Sequence, residues 1–475
     1  MSDPRLMGLL LRGGIASGAG AVTSRVLHAL AYAILARLLT ATAFGEMSLA
    51  SIVINALALF PALGLGTALL AERRDPRELA PAALSLSALS GAALVLVSLA
   101  MAPFVTRLYG ATVGGLVAVI GLTLGFRSVS AVTSALLDRE FRFHMRALVE
   151  GVEGAAFLGV AVALAVLGMG SAAIAWGLVA ASVATAVLQW AATRVRPAWS
   201  FARFRELSST AGVGFVVLLT TILGWVFVSA LPLLVEHRFG REVLGMYSLA
   251  FFVAMLPATG VGFLSGRLAL PALVRAREQG IDAAEPFLRV TRLAALIAAA
   301  CTVLFALAPR AVVLVLYGEA KVEAAAFLPL LAVYSYARVL GGLAGPVLLA
   351  TGRARVALGL VFVQDLVALP AALCISAERG PEALVFVFTV TAAAACLSAL
   401  LIAARALGGS VRAIFTASLL PLVAIGAPGV ALGALAGEGG RFAGIVLGIA
   451  VGAILASSQW SRLGARSLSI KGEML

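Results

Sequence analysis

Charge is scarce in this sequence. Only 12% of its 475 residues are Asp, Glu, Lys or Arg, about half the share found in soluble domains, which excludes a large hydrated surface. Cysteine is scarcer still. Cys301, Cys374 and Cys396 stand far apart in apolar stretches, so neither a disulfide framework nor a metal cluster is indicated and they read as small core residues. The three histidines, His28, His144 and His237, are scattered. No Walker phosphate loop, nucleophile elbow or HExxH zinc motif occurs, so the expectation is a chain without metal, cofactor or catalytic centre, and not an enzyme. Lysine appears twice, at Lys321 and Lys471, and no chemistry follows from that.

What fills the sequence instead is hydrocarbon. Hydrophobic residues make up 62% of the chain and mean hydropathy is +1.08, and apolar runs of about 20 residues, each long enough to cross a bilayer, follow one another throughout. Spans are expected near 14–36, 46–70, 81–103, 113–137, 147–168, 171–193, 209–235, 243–265, 288–309, 326–350, 356–377, 383–404, 414–435 and 442–460. With the N-terminus in the cytoplasm, the inner segments of this map, with Arg289 and Arg292 at the inner edge of the ninth span, hold 24 Lys and Arg and the outer ones 8. That bias places both termini in the cytoplasm. It also accounts for the net charge of +13 without a nucleic-acid partner. "LMGLLL" is too short for a signal-peptide core, so the first helix is expected to act as an uncleaved signal anchor.

A phrase repeats along the chain. "FGEMSLA" (Phe44 to Ala50) is echoed by "LGMYSLA" (Leu244 to Ala250), and "PALGLG" (Pro61 to Gly66) by "PATGVG" (Pro257 to Gly262). Arg127 in "GFRSVSAVTSALL" and Arg338 in "YARVLGGLAGPVLL" form a third pair, in the fourth and tenth spans. A repeat of six spans keeps orientation, so the expected architecture is an all-α polytopic membrane protein built as a parallel repeat. Its lobes are residues 1–193 and 209–404, joined by a cytoplasmic linker, 194–208, and followed by helices thirteen and fourteen (405–460) and a tail (461–475). The repeated Gly and Pro residues are expected to allow close packing and bending.

Arg25, Arg127 and Arg338 complete the basic count, and each lies about 11 to 12 residues into a span, roughly 16–18 Å deep. A charge there costs on the order of 3 kcal/mol unless it meets water or a partner. Guanidinium forks suit phosphate, so these three are candidate ligands for a diphosphate, with His28 one turn beyond Arg25 as a titratable donor. The alternative is internal pairing, for which Glu150, Glu153 and Asp365 are the available acids. The same three carboxylates are candidates for a coupling H⁺ or Na⁺. Asn55 reads as an interhelical hydrogen-bonding residue. The inner loops "DREFRFHMR" (Asp138 to Arg146) and "RVRPAWSFARFRE" (Arg194 to Glu206) mix Arg with aromatics and suit anchoring among lipid headgroups. The stretch from Arg267 to Arg292 is expected to carry a short amphipathic helix, and the outer loops are all short.

The sequence resembles bacterial polysaccharide transporters, the lipid-linked oligosaccharide flippase branch of the multidrug/oligosaccharidyl-lipid/polysaccharide exporter superfamily. The residues that carry the resemblance are "AILARLLTATAFGEMSLA" (Ala33 to Ala50), "LGLGTALL" (Leu63 to Leu70), "LLDREFRFHMRALVE" (Leu136 to Glu150), "FGREVLGMYSLAFFVAMLP" (Phe239 to Pro257) and "GPVLLATGRARVALGL" (Gly345 to Leu360). The resemblance implies two six-helix bundles that alternate access and carry a polyprenyl-diphosphate-linked saccharide to the outer leaflet. It also implies contact between cationic cavity residues and the diphosphate, membrane lipids as surroundings and polysaccharide assembly proteins as further partners. A monomer is the default for a two-lobed transporter. A cation-coupled drug exporter, a membrane-embedded glycan polymerase or modifying enzyme, and a scaffold are the alternatives. Trp225, Tyr334 and Tyr336 are examples of side chains suited to sugar contact.

Overall fold

A computed structural model describes residues 4–59, 76–140, 142–198, 214–264, 284–432, 434, 443 and 445–448. Among the described residues there is no strand. The helices are α1 (Pro4–Leu38), α2 (Ala41–Leu57), α3 (Pro76–Tyr109), α4 (Ala111–Arg139), α5 (Phe143–Val166), α6 (Ser171–Thr193), α7 (Gly214–Leu264), α8 (Ala284–Leu307), α9 (Pro309–Tyr317), α10 (Leu328–Ala350), α11 (Ala354–Cys374) and α12 (Pro381–Ala406), followed by α13 (Val411–Leu432). Eleven described segments are long and apolar enough to cross a membrane. The expected fourteen are recovered in outline: Leu218–Gly260 covers the seventh and eighth, Ala41–Leu57 is the described part of the second, and the fourteenth lies largely outside the described residues. "PALGLG", the linker beyond Ala198 and most of 267–292 also lie outside them.

The chain divides into two compact units, residues 1–249 and 250–475. Helix ends follow local chemistry. The Thr40 hydroxyl accepts from the Ala43 amide at 3.3 Å and opens α2, an N-cap that satisfies a free helix donor. Inside α7, Gly240 has φ 85° and ψ 176°, a conformation open to glycine, and the helix kinks there, so two expected spans run on as one element. Where a short outer loop was expected after the ninth span, α9 and a 3₁₀ stretch, Glu319–Ala326, are present instead. Pro309 starts α9 at a position that needs no amide donor, and its nine residues are too short to signal a span by length.

In the first unit, small residues let backbones approach. A Cβ on Gly154 of α5 would sit 3.1 Å from Ser24 Cα of α1, and one on Gly91 of α3 would sit 3.0 Å from Gly125 Cα of α4. Large apolar side chains point the other way: Leu89, Leu96, Val97, Phe104 and Leu108 of α3 are exposed, the outward-facing pattern that lipid accepts. In the second unit the core runs along α10, where Leu340, Leu343 and Val347 pack with Ala295 and Ala299 of α8 and Ala403 and Ala404 of α12. Tyr336 and Tyr334 belong to this buried interior, and the Tyr336 hydroxyl donates to the Ser418 carbonyl. Cys374 departs from its expected core position and is exposed at the end of α11.

The repeated phrase folds back on itself. A Cβ on Gly45 would collide with the carbonyl oxygen of Arg241, and a Cβ on Gly245 with that of Ala41. Gly45 and Gly245, like Ala41 and Arg241, are 200 residues apart, so one contact is made twice with the partners exchanged. All four residues belong to the first unit. Beside them the Arg241 guanidinium donates to the Tyr109 carbonyl and approaches Glu46 at 4.0 Å and Glu236 at 3.9 Å. Glu46 in turn accepts from the Ser171 hydroxyl at 2.7 Å. The end of α3, the starts of α2 and α6 and the α7 kink are thereby tied at one end of the unit.

Candidate functional site

At the other end of the first unit, α2, α4 and α6 finish and α5 begins, and between them lies a cavity of about 460 Å³. Each wall is a polar stripe on an apolar helix. Thr123, Arg127, Ser130 and Ser134 line it from α4, Arg146, Glu150 and Glu153 from α5, Ser182, Thr185 and Gln189 from α6, and Ser51 and Asn55 from α2. The intervals are three and four residues, which keeps each set on one helical face. Asn55 and Arg127 are the exposed residues of the lining and mark its mouth.

Hydrogen bonds fix much of the wall. Arg146 donates from Nε to Glu150 Oε1 at 3.1 Å and from Nη1 to Asp138 Oδ2 at 3.4 Å. Gln189 is buried, and its Oε1 accepts from Thr133 at 2.9 Å and Ser134 at 3.2 Å. Thr123 and Ser182 donate to the carbonyls of Ile120 and Leu178, which leaves their lone pairs to the cavity. Ser24 donates to Glu153 Oε2 at 3.2 Å.

The expected site residues thus fall into groups. Arg127, Glu150 and Glu153 share the cavity. Arg25 lies one helix away within electrostatic reach of Glu150. His28 stacks on Phe157 with ring centres 4.6 Å apart, and its Nδ1 is 2.9 Å from the Ser24 carbonyl. Arg338 belongs to the second unit, exposed on α10. Asp365 is also there, on α11; it is 5% exposed, and neither carboxylate oxygen has a hydrogen-bond partner among the described residues. No group of three or more His, Cys, Asp and Glu suited to a metal occurs among the described residues.

Sequence reasoning placed Arg146 in a headgroup loop and missed Gln189, Thr185 and Ser130 altogether. The signal was present as three- and four-residue spacing of polar side chains within apolar runs.

A cavity walled by arginine, carboxylate and hydroxyl groups inside an apolar helical unit is unlike a packed core. The family model described as "Polysaccharide biosynthesis protein" matches residues 34–326, a stretch that takes in the whole cavity. The chain belongs to that family. Among curated relatives it is 27% identical over 173 residues to the teichuronic acid biosynthesis protein TuaB of Bacillus subtilis, covering 36% of each chain. It is 32% identical over 124 residues to the amylovoran biosynthesis protein AmsL of Erwinia amylovora, covering 26% of this chain and 32% of that one. The matched stretches thus span about a third of those relatives. Among solved structures it is similar to the lipid II flippase MurJ in an inward closed conformation, with TM-score 0.71 and 13% identity over 95% of this chain and 99% of that one. A multidrug resistance MATE family transporter of the MOP superfamily, inward-facing, gives TM-score 0.60 and 17% identity over 81% and 94%. This family member therefore has the fold of flippases and exporters.

Proposed function

We propose that the chain moves a polyprenyl-diphosphate-linked oligosaccharide, a repeat unit of an exopolysaccharide, O-antigen or capsule, from the inner to the outer leaflet of a bacterial cytoplasmic membrane. The observation that carries this reading is the polar cavity at the end of the first unit where α5 begins, an end that the reading assigns to the cytoplasmic side. Family membership in polysaccharide biosynthesis and a flippase-like fold support it.

In this reading the cavity is loaded while open to the cytoplasm and then exposed to the outside, with the polyprenyl tail left in lipid. On the first unit Arg127 at the mouth is a charge-assisted donor for phosphate, and on the second unit Arg338 of α10, also exposed, is a candidate donor of the same kind. Arg25 offsets Glu150, and His28 supports the α1–α5 packing. Glu153, Glu150 and Asp365 are the carboxylates available to a driving H⁺ or Na⁺.

The test is mass spectrometry of lipid extracts from cells with and without the protein, with leaflet labelling of any polyprenyl-diphosphate saccharide. Complete units should accumulate in the inner leaflet on its loss. Truncated units would point to an enzyme, and unchanged lipids to a drug exporter. A combined Arg127→Gln and Arg338→Gln variant that inserts normally and flips at the parent rate would remove the phosphate contacts from the proposal.

A further inference from the structure

Three buried polar atoms at the cavity wall have no hydrogen-bond partner among the described residues: Ser130 Oγ on α4, Glu150 Oε2 on α5 and Thr185 Oγ1 on α6. Ser130 is 9% exposed. An unpaired buried polar group costs about 1–3 kcal/mol, so three on separate helices around one space mark a place where a polar molecule completes the wall.

Size and charge decide which kind. A single ion or water needs only about 10–15 Å³ of such space, and the cavity has about 460 Å³, room for a sugar ring and its hydroxyls. The charges in the wall cancel, Arg127 and Arg146 against Glu150 and Glu153, and Arg146 is already bonded to Glu150 and Asp138. A diphosphate inside would meet no surplus positive charge. Hydroxyl groups, which both donate and accept, match the unpaired set: Glu150 Oε2 needs a donor, while Ser130 and Thr185 take either role. The Gln189 side-chain oxygen accepts from Ser134 and Thr133, and its NH₂ offers a donor.

We propose that the interior of this cavity is a subsite for an uncharged sugar, bound through its hydroxyls by Glu150, Ser130, Thr185 and Gln189, with the phosphates kept at the mouth. The proposal rests on the saccharide-carrier reading above and assigns the sugar to the first unit alone.

The experiment is saturation-transfer NMR on the full chain in nanodiscs, with free glucose, galactose, mannose, rhamnose and N-acetylglucosamine as probes and inorganic pyrophosphate as competitor. At least one sugar should bind and should persist in pyrophosphate. Ser130→Ala and the near-isosteric Thr185→Val should each weaken it by up to about tenfold, the loss of one hydrogen bond, and Arg289→Gln, which breaks only an exposed pair with Glu285, should leave it unchanged. Absence of binding by every probe, binding indifferent to both hydroxyl deletions, or displacement by pyrophosphate would overturn the proposal. Leaflet labelling separates the two readings: sugar binding without movement of lipid-linked saccharide removes the flippase function and keeps the subsite, and movement without sugar binding does the reverse.

Discussion

The paired glycines offer a quantitative test of the fold. In Gly45→Ala or Gly245→Ala the new methyl meets main-chain carbonyl, Arg241 in one case and Ala41 in the other. Backbone has no rotamer to yield. The α2 and α7 segments must therefore separate, by on the order of 1 Å, with a cost of about 1–3 kcal/mol for each substitution. Because the two collisions are one contact repeated with its partners exchanged, separation forced by the first methyl already makes room for the second. The double variant should cost little more than the worse single one, leaving a coupling of at least about 1 kcal/mol in a double-mutant cycle. Reversible unfolding of the purified protein in mixed micelles would supply the four stabilities. Costs that simply add, or two single variants within 0.5 kcal/mol of the parent on the scale set by surface substitutions, would show that the close approach is absent.

Other substitutions probe single contacts. Arg241→Lys keeps the charge but loses the planar fork that reaches Tyr109, Glu46 and Glu236, and it should destabilise by about 1–2 kcal/mol in the same unfolding assay. Gln189→Leu leaves the Ser134 hydroxyl without its acceptor, while Thr133 keeps the Val129 and Ser130 carbonyls, and should cost about 1–3 kcal/mol; a neutral result would mean that Gln189 is not engaged in the wall. Asp365→Asn removes a buried charge that has no hydrogen-bond partner among the described residues, so at neutral pH the variant should match or exceed the parent in stability. A loss of more than about 1 kcal/mol would reveal a bound cation or another partner. Tyr336→Phe should lose about 1 kcal/mol with its bond to the Ser418 carbonyl and should leave leaflet movement at the parent rate.

Most of the fold was legible because membrane spans are announced by length and hydropathy, which survive any uncertainty about packing. The α7 kink was read as a loop, since "HRFGRE" is polar enough to look like a connection even though the chain stays helical on both sides of Gly240. α9 escaped because nine residues carry too little signal. At the site, the isolated charges Arg127, Glu150 and Glu153 stood out against hydrocarbon, whereas Ser130, Thr185 and Gln189 are residues that also occur as packing groups within spans. Their meaning lay in register: Ser182, Thr185 and Gln189 share a face with each other, and Thr123, Arg127, Ser130 and Ser134 do the same one helix away. Asp138 with Arg146 could not be foreseen, since that pair depends on how α4 and α5 meet.

An exchange in which residue 45 meets 241 while 245 meets 41 has the geometry of a two-fold homodimer interface, where each protomer offers the other the same patch. Here both protomers' patches sit in one polypeptide. A copy of the sequence containing one glycine motif would carry a self-complementary surface from the outset, and joining two copies end to end turns an association that depended on concentration into one fixed by covalent linkage. The two phrases differ at other positions, "EMS" in one and "MYS" in the other, while neither glycine can change without its twin's neighbour moving.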